Sequence, residues 1–235
     1  MTPTRIVHHA DAIGWLAVQG RIAGASLITS LPDLSELPAL GFDGWRRWFI
    51  DAAALVMSSV PDDGVAIFFQ SDIRHHGVWV DKSALCVSAA EQARMSLLFH
   101  KIVCRLPAGT VSSGRATYAH LVGFARTPRP PRRASADVLP DGGFQPGRKA
   151  MGVNACAWAC DFVQKETPTR TVVDPFCGWG TVLAVANAIG LDAVGVDVSA
   201  RMCRRARALQ LDLGQPSGAP LAERRAGSSA GSSNR

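Results

Sequence analysis

The sequence predicts an α/β fold, a doubly wound and mostly parallel sheet. Two observations carry that expectation. Residues 171–199, TVVDPFCGWGTVLAVANAIGLDAVGVDVS, run from a short apolar strand ending in Asp174, through a loop with glycines at 178 and 180, into a helix-like segment to Ile189. After Gly190 a second apolar run, AVGV, ends in Asp197, which completes the strand, turn, helix and strand unit that binds a nucleoside above parallel strands. Elsewhere short apolar runs at 5–10, 25–30 and 65–72 alternate with helix-period stretches.

The 235 residues are 47% apolar, a balance suited to a soluble globular protein with a substantial core. No apolar run approaches the roughly 20 residues of a membrane span. The start, MTPTRIVHHAD, lacks a charged region followed by an apolar one, and six cysteines lie scattered without the dense spacing of a disulfide framework, so a reducing cytoplasm is expected. Cys156 and Cys160 are a helical turn apart with no second pair at zinc spacing, so they read as core and no metal is expected. Net charge is +6, and only four of 25 basic residues are lysine. Arginine's planar fork suits phosphate, which fits a polyanionic partner, although a solvated arginine-rich surface gives the same balance.

From the N-terminus, residues 5–10 read as a strand and the next stretch, to about 21, as a helix that Asp11 either caps or leaves free to bond an adenine amino group. Residues 25–30 form a strand whose C-terminal end carries Ser30, Leu31, Pro32 and Asp33, on the edge where ligands bind. Residues 44–60 are an amphipathic helix, with Trp45, Trp48, Phe49, Ala52, Leu55 and Val56 at three- and four-residue spacing. A turn at 61–64, a buried strand at 65–72, a helix near 82–95 and strands near 97–105 and 118–125 follow, the last two as an antiparallel edge hairpin. The hairpin residues His100, Lys101, Arg105, Arg115, Tyr118 and His120, with Asp72, His75 and His76, either line a substrate or alternate toward solvent.

Residues 127–147 are rich in proline and glycine and read as an exposed linker whose Arg129, Arg132 and Arg133 suit phosphate. A basic turn at 147–149 opens a helix over 151–163, a placement that favours an anion near Lys149. A basic helix runs from Ser199 to about 211, and the Gly- and Ser-rich tail from 214 is expected to be disordered.

The glycines at 178 and 180 are expected to make room for a ligand, and Asp197 can accept both hydroxyls of a ribose. A dinucleotide would want a third glycine at 183, where the chain has leucine. That leaves a nucleoside without a pyrophosphate, of which S-adenosyl-L-methionine is the commonest cofactor.

DPFCGWGT, residues 174–181, resembles the DPFCGSGT cofactor motif of the amino-methyltransferases that modify DNA bases, with Trp179 in place of serine. SLPD, residues 30–33, resembles their catalytic motif of Asp, Asn or Ser, then Pro-Pro, then an aromatic, and departs from it at Leu31 and Asp33. The resemblance implies a single methyltransferase domain over 1–213. It also implies a seven-stranded sheet with an antiparallel edge hairpin, circularly permuted so that the catalytic loop precedes the cofactor loop. S-adenosyl-L-methionine would be held by Asp174, Phe176, Gly178, Gly180, Thr181 and Asp197, with Asp11 and Lys149. An exocyclic base amine would be held by Ser30, the Leu31 carbonyl, Pro32 and Asp33, with stacking from Trp45, Trp48 or Tyr118.

His100, Lys101, Arg115 and Tyr118 would fall on the substrate side. The partner implied is nucleic acid, either DNA or, given the altered motif and the absence of a recognition domain, structured RNA. A homodimer or protein partner stays open. So does a weakly catalytic cofactor-binding module, and so does a methyltransferase acting on a group other than an amine. Ring-carbon methylation of cytosine is disfavoured, because no Pro-Cys pair ends a strand.

Overall fold

A computed structural model describes residues 2–127, 134–147 and 149–213. Arg129, Arg132, Arg133, Arg148 and the tail from 214 lie outside the described residues.

Glycine turns and apolar runs produce the expected first unit: β9 (Thr171–Asp174), α5 (Thr181–Ala188) and β10 (Asp192–Asp197). Beside it lie β1 (Arg5–His9) and β2 (Ala25–Thr29), and next to β2 lies β3 (Ala66–Gln70). These five strands run parallel in the order β1-β10-β9-β2-β3. Every residue of β2 and β3 is buried, as strands covered on both faces must be.

On the far side β3 pairs antiparallel with β7 (Tyr118–Ala125), and β7 with β6 (Ser96–Cys104), which forms the expected hairpin. The seven expected strands are all present, and a two-residue strand, β8 (Val138–Leu139), adds an eighth alongside β6. Residues 134–147 are therefore more than an exposed connection, since β8 joins the sheet and Gly142 accepts backbone N–H groups from Asn154 and Ala155.

Two apolar layers sandwich the sheet. One contains α5 with α4 (Val153–Glu166) and α6 (Ala200–Ala208), and it buries Cys156 and Cys160 as core. The other contains α1 (Ala12–Gln19), α2 (Gly41–Ser58) and α3 (Lys82–Ala93). The stripe on α2 buries Trp45, Phe49, Ala52 and Val56, leaving Trp48 and Leu55 half-buried at its margin.

The sequence reading carried β3 through to 72, but the chain turns after Gln70. It then forms a separate small hairpin, β4 (Ile73–His75) and β5 (Val78–Val80). His76 and Gly77 take φ of 48° and 79° at its tip, the paired positive values that match the twist of two tightly joined strands.

Candidate active site

Parallel pairing of β2 with β9 brings the ends of these strands side by side, so residues 30–33 emerge next to 174–181. The Thr29 hydroxyl joins the two directly, donating to Asp174 Oδ1 at 2.6 Å. The backbone N–H of Phe176 donates to the same oxygen at 3.1 Å. Asp174 is buried, and burial pushes its pKa up to about 7 against those two hydrogen bonds, with the nearby Asp197 charge adding to the rise.

At the tip of β10, Asp197 accepts from Gly178 N at 3.0 Å and Ser199 N at 2.7 Å, one on each oxygen. Its carboxylate is thus set by backbone and keeps lone pairs for other donors. Asp11 caps α1 through Gly14 N at 2.7 Å, and it also borders the cleft, so the two alternatives for this residue are compatible.

The two glycines differ in what surrounds them. Gly178 has φ of 48°, which favours glycine, and nothing lies within 4 Å of an added Cβ, so the space beside it on the cavity wall is open. Gly180 has φ of 77°, and a Cβ there would sit 2.6 Å from Ala206 Cα, so it makes room for α6 rather than for a ligand. Trp179 fills the space left at Gly147, where no Cβ would fit, and the Arg205 guanidinium stacks 4.1 Å from its ring centroid.

These residues enclose a cavity of about 640 Å³. Asp11, Ser30, Leu31, Pro32, Lys149, Asp174, Phe176, Gly178, Thr181 and Asp197 all line it. Trp48 does too, meeting Phe176 edge to face at 6.1 Å. Met151 and Met202 are lining residues the sequence reading did not name, and apolar residues at loop and helix starts carry no signal that would have singled them out. Gly180 is not among the lining residues.

A second cavity of about 640 Å³ adjoins the first and shares Ser30, Leu31, Glu36, Lys149 and Ala150 with it. Asp33 lines it, bonded to the Lys82 ammonium, which is almost wholly buried. Trp45 is not available for stacking: it is fully buried, and its indole N–H donates to the Pro32 carbonyl at 3.1 Å, bracing the loop from beneath. The flat surface in this cavity is instead Phe42, stacked on His75 with centroids 4.2 Å apart and planes 8° from parallel. Phe42 went unnamed in the sequence reading, although it lies three residues before Trp45 on α2, where the i, i+3 relation was readable.

Arg74, Arg105 and Arg115 also border the second cavity. His100, Lys101 and Tyr118 line neither cavity. Lys101 Nζ donates to the Ala136 carbonyl at 2.7 Å and is buried, because β6 turns it toward residues 134–137. Tyr118 donates to Asp72 Oδ2 at 3.1 Å.

Asp72 receives three more donors or ring contacts. They are Trp79 Nε1 at 3.2 Å, Lys82 N at 3.0 Å and the His120 ring at 2.9 Å, with His100 2.8 Å behind His120. Burial works to raise the Asp72 pKa, but the bonds from His120, Lys82 and Tyr118 outweigh it and hold the carboxyl below the ordinary value. Asp72, Asp81 and His120 bring ligand atoms within 4.8 Å of one another, yet the Asp72 oxygens are already committed to these donors.

Lys149 takes φ of 67°, left-handed for a residue with a side chain. It donates to Ser35 Oγ at 3.1 Å and stands 3.4 Å from Glu36, spanning from the start of α4 to the loop after β2. Part of its charge is thus met within the chain.

No family model matches the sequence, and no curated protein matches it. Solved structures do. TTHA0409 of Thermus thermophilus, assigned as a DNA modification methylase, aligns at a TM-score of 0.65 and 16% identity over 87% of this chain and 92% of its own. The same protein complexed with S-adenosyl-L-methionine aligns at 0.64 and 17% identity, over 86% and 91%. The PvuII DNA methyltransferase, cytosine-N4-specific, aligns at 0.66 and 14% identity, over 91% and 89%. The chain shares the fold of these proteins, a doubly wound α/β sheet.

Proposed function

We propose that the chain is an S-adenosyl-L-methionine-dependent methyltransferase acting on an exocyclic amine of a nucleic-acid base. The observation that carries this is the meeting of two distant loops, 30–33 and 174–181, at one sheet edge, tied by Thr29 and Asp174 and opening into two adjoining cavities. Likeness to solved DNA methylases favours DNA as the polymer.

The first cavity fits the cofactor by the chemistry of its lining. Asp197 offers carboxylate lone pairs to a ribose diol and negative charge near a cation, Asp11 an acceptor for an adenine amine, and Asp174, raised to about 7, a further charge once it ionises. When bound, S-adenosyl-L-methionine supplies a methyl group on a sulfonium that leaves readily. Ser30 and the Leu31 carbonyl, at the boundary of the two cavities, would accept the amine hydrogens and hold its lone pair in line. On this reading the catalytic loop precedes the cofactor loop by circular permutation, residues 1–213 form one domain, and the protein works beside nucleic acid in the cytoplasm. Among the described residues no helix is long and apolar enough to cross a membrane.

Leu31 and Asp33 favour a second reading, a cofactor-binding module with weak catalysis. Incubation with methyl-labelled cofactor and separate DNA, transfer-RNA and ribosomal-RNA pools decides between them. Label in DNA is expected. Label in an RNA pool would keep the chemistry and change the polymer, and measurable cofactor binding with no label in any pool would leave only the second reading.

A further inference from the structure

We infer that the second cavity reads the donor edge of guanine and that Asp33 is the residue that specifies it, an inference that rests on the proposed transfer to a base amine. Asp33 occupies the position where the resembling enzymes carry an aromatic, and its side chain, 30% exposed, lies in the cavity wall. Behind it the Lys82 side chain is 3% exposed and bonded to Oδ1, with the Phe49 ring 5.9 Å from Nζ. The cation faces the carboxylate from the protein side and offsets the cost of placing a charge in a partly closed site. What remains for a ligand is the carboxylate, which accepts and does not donate.

The three base amines differ in what stands beside them. The adenine amine lies between ring nitrogens that are acceptors, and the cytosine amine lies next to one. A carboxylate brought to either edge meets one N–H and one lone pair. Guanine alone places a ring N1–H beside its N2 amine, and two parallel N–H groups match a carboxylate as an arginine fork does. Asp33 would take N1–H and one N2–H. The other N2–H would fall to Ser30 or to the Leu31 carbonyl, since the Pro32 carbonyl already receives Trp45.

Phe42, stacked on His75, supplies in the same cavity the aromatic face that position 33 lacks. In the transfer the N2 lone pair forms the new N–C bond and the C–S bonding pair returns to sulfur. One N2 proton passes to the Asp33 carboxylate and from there to water.

The test uses the full chain loaded with S-adenosylhomocysteine, with short fluorescent single strands of DNA and of RNA. Each strand carries one guanine, adenine, cytosine or hypoxanthine among pyrimidines that have no exocyclic amine. Guanine strands should bind about tenfold tighter than adenine or cytosine strands, the worth of a charged hydrogen bond gained and a repulsion avoided. Hypoxanthine, which keeps N1–H and lacks the amine, should fall between, and Asp33→Asn should erase the preference while cofactor affinity holds within about twofold.

Labelled transfer should yield N2-methylguanine. Equal binding of guanine and adenine strands, or no binding to any, would overturn the inference. Label in N6-methyladenine or N4-methylcytosine would overturn it while leaving the proposed function standing. Guanine preference with no transfer to any strand would support the pocket and remove the methyltransferase reading. The strand series uses the unaltered chain and decides even where the variant does not fold.

Discussion

The two halves of the cleft are held by different kinds of bond. On the proposed cofactor side, backbone does most of the positioning: Gly178 N and Ser199 N fix Asp197, and Phe176 N fixes Asp174 together with the Thr29 hydroxyl. On the acceptor side, side chains from distant segments hold each other, as in Asp33 with Lys82, Lys149 with Ser35 and Glu36, and Asp72 with Tyr118 and His120. A backbone-set carboxylate keeps its place when neighbouring side chains change. A side-chain-set one moves with its partner, so on the proposed function substitutions should alter the second cavity more readily than the first.

The largest effect should come from Gly180→Val. The substitution combines a positive φ with a clash against Ala206, each costing about 1–3 kcal/mol. Gly178→Ala, with the same sign of φ and open space, should cost only about 1 kcal/mol. Urea unfolding of the two variants checks the difference, and equal losses would mean that packing against α6 does not matter at 180.

Next in size is the split between carboxylates. Asp197→Ala should weaken cofactor binding by roughly 100-fold, as a charged acceptor and two backbone anchors disappear together. Asp33→Ala should spare that affinity to within about twofold and lower turnover instead. Calorimetric titration with S-adenosylhomocysteine, beside turnover measured with labelled cofactor, reads both. Parallel losses of binding would put Asp33 on the donor side.

The halves should also answer pH with opposite signs. Asp174, at about 7 in the fold and near 3.8 when unfolded, holds a proton in the native state that the unfolded chain has released. Its contribution to stability therefore falls as pH rises between those values. Asp72 is held below its ordinary value, so its contribution is present above that value and is lost as pH falls through the acid range. Urea midpoints across this range, compared with Asp174→Asn and Asp72→Asn, isolate each slope. A cationic cofactor favours the ionised Asp174, so affinity should rise as pH rises toward about 7, and a flat profile would remove Asp174 from the cofactor's surroundings.

What the sequence made legible follows the same division. The β9, α5 and β10 unit was readable because strand, turn, helix and carboxylate are consecutive, so local geometry nearly determines the arrangement. The acceptor cavity was not, because Phe42 meets His75 only after α2 and the β4–β5 hairpin have packed together, and three-residue strands leave no alternation to detect. Lys101 and Tyr118 illustrate the limit of period-two reasoning. Alternation along β6 and β7 marks which residues share a face, but Lys101 is taken by the Ala136 carbonyl just before β8 and Tyr118 by Asp72, partners from other segments that a period of two does not show.

The smallest effect should lie at Lys149, which spans both halves. Its pair with Glu36 is 3.4 Å long with the side chains 46% and 44% exposed, so solvent screening limits its worth to below about 1 kcal/mol. Its left-handed backbone costs about the same or slightly more. Lys149→Ala loses the pair and keeps the strain, so stability should drop by roughly 0.5 kcal/mol. Lys149→Gly loses the pair and relieves the strain, against some added freedom in the unfolded chain, and should unfold at least as late as the alanine variant. If the residue matters chiefly as a tie across the cleft, both variants should weaken cofactor binding equally despite their different stabilities. Affinities that instead track stability would reduce Lys149 to a surface ion pair.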